Sequence, residues 1–254
     1  MAAVSAPGLR RIEHVMGMPV VVDLRDEDVG DDAIDEVFEW LRLVDARFST
    51  FKPDSEICRL DRGDLTLEDA HADVRAVLER CEELCDETGG YFDVRAGASR
   101  QLDPSGLVKG WSVDRAAALL DAAGATSYAV NAGGDIRLRG GAQPETVWRV
   151  GIQHPLERDR VAAVIETRDL AVATSGAYER GDHVIDPHTG RPPAGVLSVT
   201  ITGPDLATAD AYATSAFAMG PRGAQWTTGL PGYEAMTILA DGRVLFTHGF
   251  PAVD

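Results

Sequence analysis

Residues 209–216 read ADAYATSA, and the other motifs of the chain are best understood from this stretch of small residues. Pro204 precedes it and Gly220-Pro221 follows it, so a helix of roughly two to three turns fits between the breakers. Asp210 and Thr214 stand at i and i+4 and therefore share one helix face. A carboxylate and a hydroxyl so placed can hold Mg²⁺ beside a phosphate. The alternative is that Asp210 caps the helix and Thr214 bonds back to a carbonyl.

Length and composition set the class of protein. A chain of 254 residues can bury one large core or two smaller ones, and 44% hydrophobic residues indicate a globular protein. The net charge of −17 argues against nucleic acid and anionic membranes as partners. It also means that a phosphorylated ligand would need local positive charge, from a cation, a lysine or a helix N-terminus.

The N-terminal residues and the cysteines indicate the compartment. Residues 1–11 contain no apolar export signal, and no segment of the chain is long and apolar enough to span a membrane. Cys58, Cys81 and Cys85 make an odd count, and without a second pair of ligands they give a weak case for zinc. We therefore predict a cytoplasmic protein that does not insert into membranes.

Helical periodicity dominates the first half of the chain and strand patterns dominate the second. Helices are predicted at 31–44, 73–88 and 112–123, with residues 102–106 as a loop and Tyr91-Phe92-Asp93 as a short exposed segment. Strands are predicted at 13–25 (as a strand or bent hairpin), 128–131, 136–138, 147–152, 161–166, 170–174, 197–201, 235–239 and 243–247. This order favours an α+β fold, in a single domain over residues 1–254, rather than a doubly wound sheet.

Two loops in the middle of the chain could bind an anion. Gly133-Gly134 allows backbone N–H groups to approach one closely, or is a plain hairpin turn. Lys109, before a glycine and a helix, could bind phosphate as a point charge or simply be solvated. Asp103 lies in a Pro-Ser-Gly loop, where its role could be limited to capping a turn.

A further pair of segments offers hydroxyl and imidazole groups. Thr174-Ser175 place hydroxyls at a strand end, and residues 183–190 read HVIDPHTG. His183 and His188 could ligate zinc or transfer protons; alternatively, Asp186-Pro187 makes the turn and His183 packs beneath it. Read from its residues alone, the chain is an α+β protein with a metal-assisted phosphate site.

Taken together, these stretches resemble one family, the FAD:protein FMN transferases, also called the ApbE family. The matching motifs occur in family order over nearly the whole chain, and their joint order is far more specific than any one of them. They are Met16-Gly17, 48–51 with 54–56, 89–93, 102–103 through Lys109-Gly110 and Asp114, 131–135, 173–176, 183–190, and 209–214.

The resemblance implies a T-fold-like α+β architecture and an activity. Members bind FAD with Mg²⁺, move its FMN half onto a threonine hydroxyl of an acceptor protein, and release AMP. Carried over by motif, the metal ligands are the side chains of Asp210 and Thr214 and the carbonyls of Gly106 and Ala213. The FAD contacts carried over are Met16, Phe51, Tyr91, Phe92, Asp93, Asp103, Lys109 and His183. We add Gly133, Gly134, Thr174 and Ser175 as candidate contacts from the chemistry described above.

Some details of the reaction stay open at the level of sequence. We take His183 as the first candidate for the general base and Asp186 as the second. The chain departs from the family pattern at Met18, Phe51 and Asp61, which bears on the flavin contacts, and at Gly106, where alanine is usual. Two other functions use the same residues: a Mg²⁺-dependent FAD pyrophosphatase giving FMN and AMP, and an FAD-binding protein without turnover.

Overall fold

The computed structural model describes residues 8–97, 99–143, 145–157, 159–176 and 184–253. Its helices are α1 (Asp31–Phe48), α2 (Glu56–Arg62), α3 (Ala72–Glu87), α4 (Ser105–Ala122), α5 (Leu206–Ala218) and the single turn α6 (Gly223–Trp226). Its strands are β1 (Leu9–Val15), β2 (Met18–Leu24), β3 (Tyr128–Ala132), β4 (Asp135–Arg139), β5 (Trp148–Gln153), β6 (Val161–Thr167), β7 (Leu170–Gly176), β8 (Val196–Gly203), β9 (Glu234–Leu239), β10 (Val244–Phe246) and β11 (Ala252–Val253).

These strands form two antiparallel sheets, and the α+β prediction is confirmed. Within the described residues the larger sheet has eight strands in the order β1-β2-β3-β4-β7-β8-β9-β10, and the smaller has the order β11-β6-β5. Helices α1, α4 and α5 pack in one layer over the large sheet, with α5 against β7 and β8. The small sheet packs against β7 and β9 of the large sheet, where Ile152 and Ile165 contact Val172, Met236 and Ile238.

Helix α5 begins at a doubly capped N-terminus. The Asp205 carboxylate accepts a hydrogen bond from Thr208 N at 2.8 Å, and Asp114 of α4 accepts from Leu206 N and Ala207 N, both at 2.8 Å. The prediction that Asp210 could be the cap is therefore wrong, since Asp205 has that role. The back-bond to a carbonyl comes from Ser215, whose hydroxyl donates to the Ala211 carbonyl at 2.7 Å.

Helix α4 begins at Ser105, seven positions before the predicted start at Ser112. The predicted loop at 102–106 is therefore partly wrong, and Lys109-Gly110 lies inside the helix rather than ahead of it. A glycine within a helix costs about 1 kcal/mol, which is why the pattern argued against this assignment. The glycine is needed here because a Cβ on Gly110 would lie 2.7 Å from the Leu206 carbonyl carbon and 2.8 Å from Ala207 Cα.

Two shorter predictions have opposite outcomes. The segment 91–93 is not simply exposed: the Phe92 side chain is buried, and its N–H donates to the Thr88 hydroxyl at 2.9 Å, which folds the chain back onto the end of α3. Gly133 and Gly134 have φ values of 60° and 106° and form the two-residue turn between β3 and β4, as expected for a hairpin. All three cysteines are free thiols.

Candidate metal and phosphate site

Three charged side chains meet where α4, α5 and β4 come together. The ammonium of Lys109 lies 2.5 Å from Asp135 Oδ2 and 3.4 Å from Asp210 Oδ1. The side chains of Asp135 and Asp210 are only 1% and 2% exposed, whereas Lys109 is 20% exposed. Two buried carboxylates therefore share one lysine, and the cluster carries a net charge of about −1 when all three groups are ionised.

Backbone donors fix both carboxylates. Asp210 Oδ2 accepts from Gly110 N at 3.1 Å, and Asp135 Oδ1 accepts from Thr174 N at 2.9 Å. In an α-helix the N–H of Gly110 also points toward the carbonyl four residues earlier, which is that of Gly106. The carboxylate of Asp210 is thus brought to the same part of α4 as the Gly106 carbonyl, which the family resemblance implies as a metal ligand.

The hydroxyl of Thr214 belongs to the same location. It lies 3.3 Å from the Ser175 hydroxyl at the end of β7. A Cβ built on Gly106 would lie 3.7 Å from the Thr214 methyl carbon and 3.2 Å from the Phe92 ring. Ala213, in the same turn of α5, is fully buried. The structure therefore gathers Gly106, Asp210 and Thr214 along the contact between α4 and α5.

The electrostatics of this cluster favour a bound cation. Burial raises the pKa of Asp210 above its usual range; Lys109 opposes this shift and the neighbouring Asp135 adds to it. A divalent cation beside the carboxylate would reverse the balance, because it stabilises the ionised form. A cation at this site would thus compensate negative charge that the fold has placed out of water.

The donor set fits Mg²⁺ and not zinc. A carboxylate, a hydroxyl and nearby carbonyls are hard oxygen donors, and Mg²⁺ takes one or two protein carboxylates and completes its octahedron with water and phosphate. In the described ranges, no group of three or more His, Cys, Asp or Glu side chains could hold a metal ion. A closed structural zinc site would require such a group.

A second, more exposed cluster lies at the loop 184–193. The rings of Tyr91 and His188 are 4.5 Å apart, Arg222 donates to the Tyr91 hydroxyl at 2.6 Å, and His188 Nε2 lies 3.1 Å from the Gly89 carbonyl oxygen. Beside this cluster is a cavity of about 480 Å³ whose lining includes Asp186 and Ala218. Ala218 lies about two helical turns beyond Asp210, and Lys109, Asp135 and Asp210 do not line this cavity, so it is separate from the charged cluster.

Several predicted site residues form hydrogen bonds within local turns instead of pointing into the charged cluster of Lys109, Asp135 and Asp210. The Asp93 and Asp103 carboxylates accept from backbone N–H groups two residues later, at 2.8 and 3.0 Å. Asp186 Oδ1 accepts from His188 N at 2.9 Å and Oδ2 from Thr189 Oγ1 at 3.0 Å, so both oxygens have partners within their own loop. These aspartates shape the loops that border the site.

The remaining predicted flavin contacts are spread around the same end of the sheet. Phe51 is 93% exposed, an unusual state for a phenylalanine. Met16 has a positive φ of 56°, and its sulfur lies 3.8 Å from the Ser112 hydroxyl of α4. Thr174 hydrogen-bonds Thr200 across the sheet at 2.9 Å, whereas His183 lies outside the described residues.

The member of the charged cluster that the sequence reasoning missed is Asp135. The sequence indicates it only as part of the motif at 131–135, yet among the described residues it is the ion-pair partner nearest to Lys109. The available signal was an acidic residue directly after a tight Gly-Gly turn, at the first position of a strand. An alternation pattern cannot show that such a carboxylate points into the core toward a lysine on a helix.

Comparison with known proteins gives one consistent result. A model described as the ApbE family matches residues 16–102 and 94–237. A FAD:protein FMN transferase of Vibrio cholerae is 40% identical over 47% of this chain and 39% of its own length, and one of Salmonella typhimurium is 31% identical over 63% and 49%. The solved structure of the flavin transferase ApbE from Vibrio cholerae superposes with a TM-score of 0.86 at 25% identity, covering 98% of this chain and 100% of that one. The chain thus spans less than half the length of the two curated relatives.

Proposed function

Because the chain belongs to the ApbE family, we propose that it transfers the FMN half of FAD to a threonine hydroxyl of an acceptor protein, with Mg²⁺ as cofactor and AMP as the second product. The observation that carries the proposal is the buried junction of Lys109 and Asp210 beside Thr214. That junction offers a cation site and a fixed ammonium group, which a pyrophosphate needs in a protein of net charge −17.

Each residue of the junction has a separate task. Asp210, Thr214 and the carbonyls of Gly106 and Ala213 would hold Mg²⁺. When bound, the ion supplies Lewis-acid polarisation of the phosphoryl group and neutralises developing negative charge. Lys109 binds a pyrophosphate oxygen as a point charge, and the Gly110 N–H keeps the Asp210 carboxylate in place.

The transfer itself exchanges one P–O bond for another. The threonine oxygen forms a bond to the FMN phosphorus while the bond from that phosphorus to the AMP oxygen breaks, and AMP leaves with the electron pair. The protein contributes chiefly alignment and charge stabilisation to such a reaction. The threonine proton must pass to a base. His183 stays our first choice, since both oxygens of Asp186 already accept hydrogen bonds in their loop.

The exposure of Phe51 supports an aromatic ligand. Phe51 is 93% exposed, so covering its ring with a flavin or adenine ring would lower the free energy of the complex. The role of Phe51 in the proposal is therefore to stack on a ring of FAD. We expect Phe51→Ala to raise the KM for FAD and Phe51→Tyr to leave it nearly unchanged.

The test is the intact mass of a threonine-containing acceptor domain after incubation with this protein, FAD and Mg²⁺. We expect the acceptor to gain the mass of FMN less water. The gain should disappear when EDTA is added and when the acceptor threonine is replaced by valine. Asp210→Ala should abolish the gain while leaving FAD binding measurable, which separates catalysis from storage.

Other results would assign the site differently. Metal-dependent release of AMP and free FMN, with an unmodified acceptor, would make the protein an FAD pyrophosphatase. FAD binding without either product, against several acceptors, would make it a flavin-binding protein. The cytoplasmic compartment stays a prediction. No helix in the described part of the chain is long and apolar enough to cross a membrane.

A further inference from the structure

Lys109 is shared unequally between Asp135 and Asp210. Its ammonium lies 2.5 Å from Asp135 and 3.4 Å from Asp210. We propose that Asp135 is a positioning residue that holds Lys109 away from Asp210 and so leaves Asp210 available to a divalent cation. This inference rests on the proposed function, because it takes Asp210 as a ligand of that cation.

The fold gives Asp135 the rigidity that this task requires. It is the first residue of β4, directly after the two-residue turn, and its backbone is paired with Ala132 of β3. Its Oδ1 accepts from Thr174 N on β7 at 2.9 Å, which fixes the carboxylate and turns Oδ2 toward Lys109. Lysine has a long flexible side chain, so its ammonium can follow the carboxylate that it contacts more closely, which is Asp135.

The charges show why this arrangement matters. With Asp135 present and all three groups ionised, the charges sum to about −1. A bound divalent cation brings the sum to about +1, and the pyrophosphate of a dinucleotide is then attracted. Without the charge of Asp135, Asp210 would be the nearest buried carboxylate to Lys109 among the residues that the structure describes. The ammonium would then compete with the cation for the same oxygens.

Asp135→Asn is the appropriate variant, because the amide oxygen can still accept from Thr174 N–H while the charge is removed. Asp121→Asn is the matched control. Asp121 sits near the other end of α4 and pairs with Arg139 of β4 at 2.5 Å, so the control removes one carboxylate charge from another ion pair that joins α4 to β4. Thermal unfolding of each variant reports whether it is folded.

The experiment measures the affinity of the metal-free protein for Mn²⁺ alone, by electron paramagnetic resonance of the free ion. The proteins are wild type, Asp135→Asn, Lys109→Met, the double variant, Asp210→Asn and the control. If Asp135 acts through Lys109, Asp135→Asn should weaken Mn²⁺ binding at least about tenfold more when Lys109 is present than in the Lys109→Met background. The control should match wild type.

Equal losses in the two backgrounds would overturn the inference, since Asp135 would then act by its charge alone. Absence of Mn²⁺ binding by wild type, or binding unchanged by Asp210→Asn, would instead overturn the metal site and the inference with it. A crystal structure of wild type with Mn²⁺ gives a readout that needs no variant. We expect Lys109 on Asp135 and the ion on Asp210; Lys109 seated on Asp210 would overturn the inference.

Discussion

Helix α5 uses its two faces in opposite ways. One face carries Asp210 and Thr214 to the contact with α4, where a buried carboxylate is shared with Lys109. The other carries Tyr212, whose ring lies 5.4 Å from the Trp226 ring and 5.2 Å from the Tyr233 ring, edge to face in both cases. The Tyr212 hydroxyl donates to Glu87 of α3 at 3.0 Å.

The difference shows how one helix can support both stability and chemistry. A buried charge is retained at a cost in folding free energy, and such a cost is typical of functional sites. Aromatic packing on the opposite face contributes favourable free energy in the same element. The two faces should therefore respond differently to substitution, in activity on one side and in stability on the other.

The largest expected effect is on the charged face. Asp210→Asn should lower FMN transfer roughly a thousandfold, equivalent to about 4 kcal/mol of transition-state free energy, because it removes the carboxylate that would hold the metal. The free energy of unfolding should not fall, since the remaining pair of Lys109 and Asp135 is neutral. Acceptor mass gain and urea denaturation measure the two quantities.

Asp205→Asn is the matched control for that prediction. It makes the same chemical change one turn and one residue before Asp210, at the N-cap, and asparagine caps helices about as well as aspartate. Transfer should stay within about twofold of wild type. Equal loss of activity in both variants would show that the helix, rather than the Asp210 carboxylate, had been damaged.

The next largest effect is on the packing face. Tyr212→Ala should lower the free energy of unfolding by about 3–4 kcal/mol, because it removes a buried ring from contact with two others. Tyr212→Phe keeps the ring and loses only the hydrogen bond to Glu87, so a loss of about 1 kcal/mol or less is expected. Urea denaturation distinguishes them. Similar losses for both would mean that the hydroxyl, not the ring, stabilises this face.

A third prediction concerns the backbone contact between α4 and α5. Gly110→Ala should destabilise the protein by about 2–3 kcal/mol, because the new methyl group would meet backbone atoms of Leu206 and Ala207 that cannot move aside cheaply. Gly106→Ala is the control in the same helix, since its nearest neighbour is the side chain of Phe92 at 3.2 Å. That variant should change stability by no more than about 1 kcal/mol. Equal effects would contradict the close approach at Gly110.

Gly110 also shows which part of the fold the sequence could predict. The α+β class, the hairpin turns and most strands follow from alternation and from turn residues, which are local signals. The early start of α4 does not, because Gly110 in isolation disfavours a helix and only the contact with α5 makes it necessary. Tertiary contacts override local propensity at this position.

The candidate site also has a part that the sequence predicts and a part that only the tertiary structure reveals. The spacing of Asp210 and Thr214 on one helix face is visible in the chain, and Lys109 carries a recognisable chemical role. The pairing of Lys109 with Asp135 joins a helix to a strand 26 positions away, and no periodicity encodes it. The structure therefore adds the ion-pair partner of the lysine, while the sequence already contains the carboxylate that we propose as the metal ligand.

The smallest expected effect is on the exposed edge of the packing face and depends on pH. The pKa of Glu87 is lowered from its ordinary 4.5 mainly by the hydrogen bond from Arg80 and further by the Tyr212 hydroxyl. A carboxyl whose pKa is lower in the folded state stabilises the protein above its unfolded pKa, and this contribution is lost as the pH falls through the folded value. Glu87→Gln should therefore lower stability at pH 7 by less than about 1 kcal/mol, because the pair is half exposed.

The difference between wild type and Glu87→Gln should shrink as urea denaturation is repeated at successively lower pH, from about 5 downward. Glu83→Gln is the control, because Glu83 pairs with the same Arg80 at 2.8 Å but no hydrogen bond joins it to Tyr212 among the described residues. A Glu87→Gln difference that stays constant with pH would show that Glu87 acts through packing. The outer face of α5 would then be held by its aromatic rings without help from charge, which would sharpen its contrast with the face that carries Asp210.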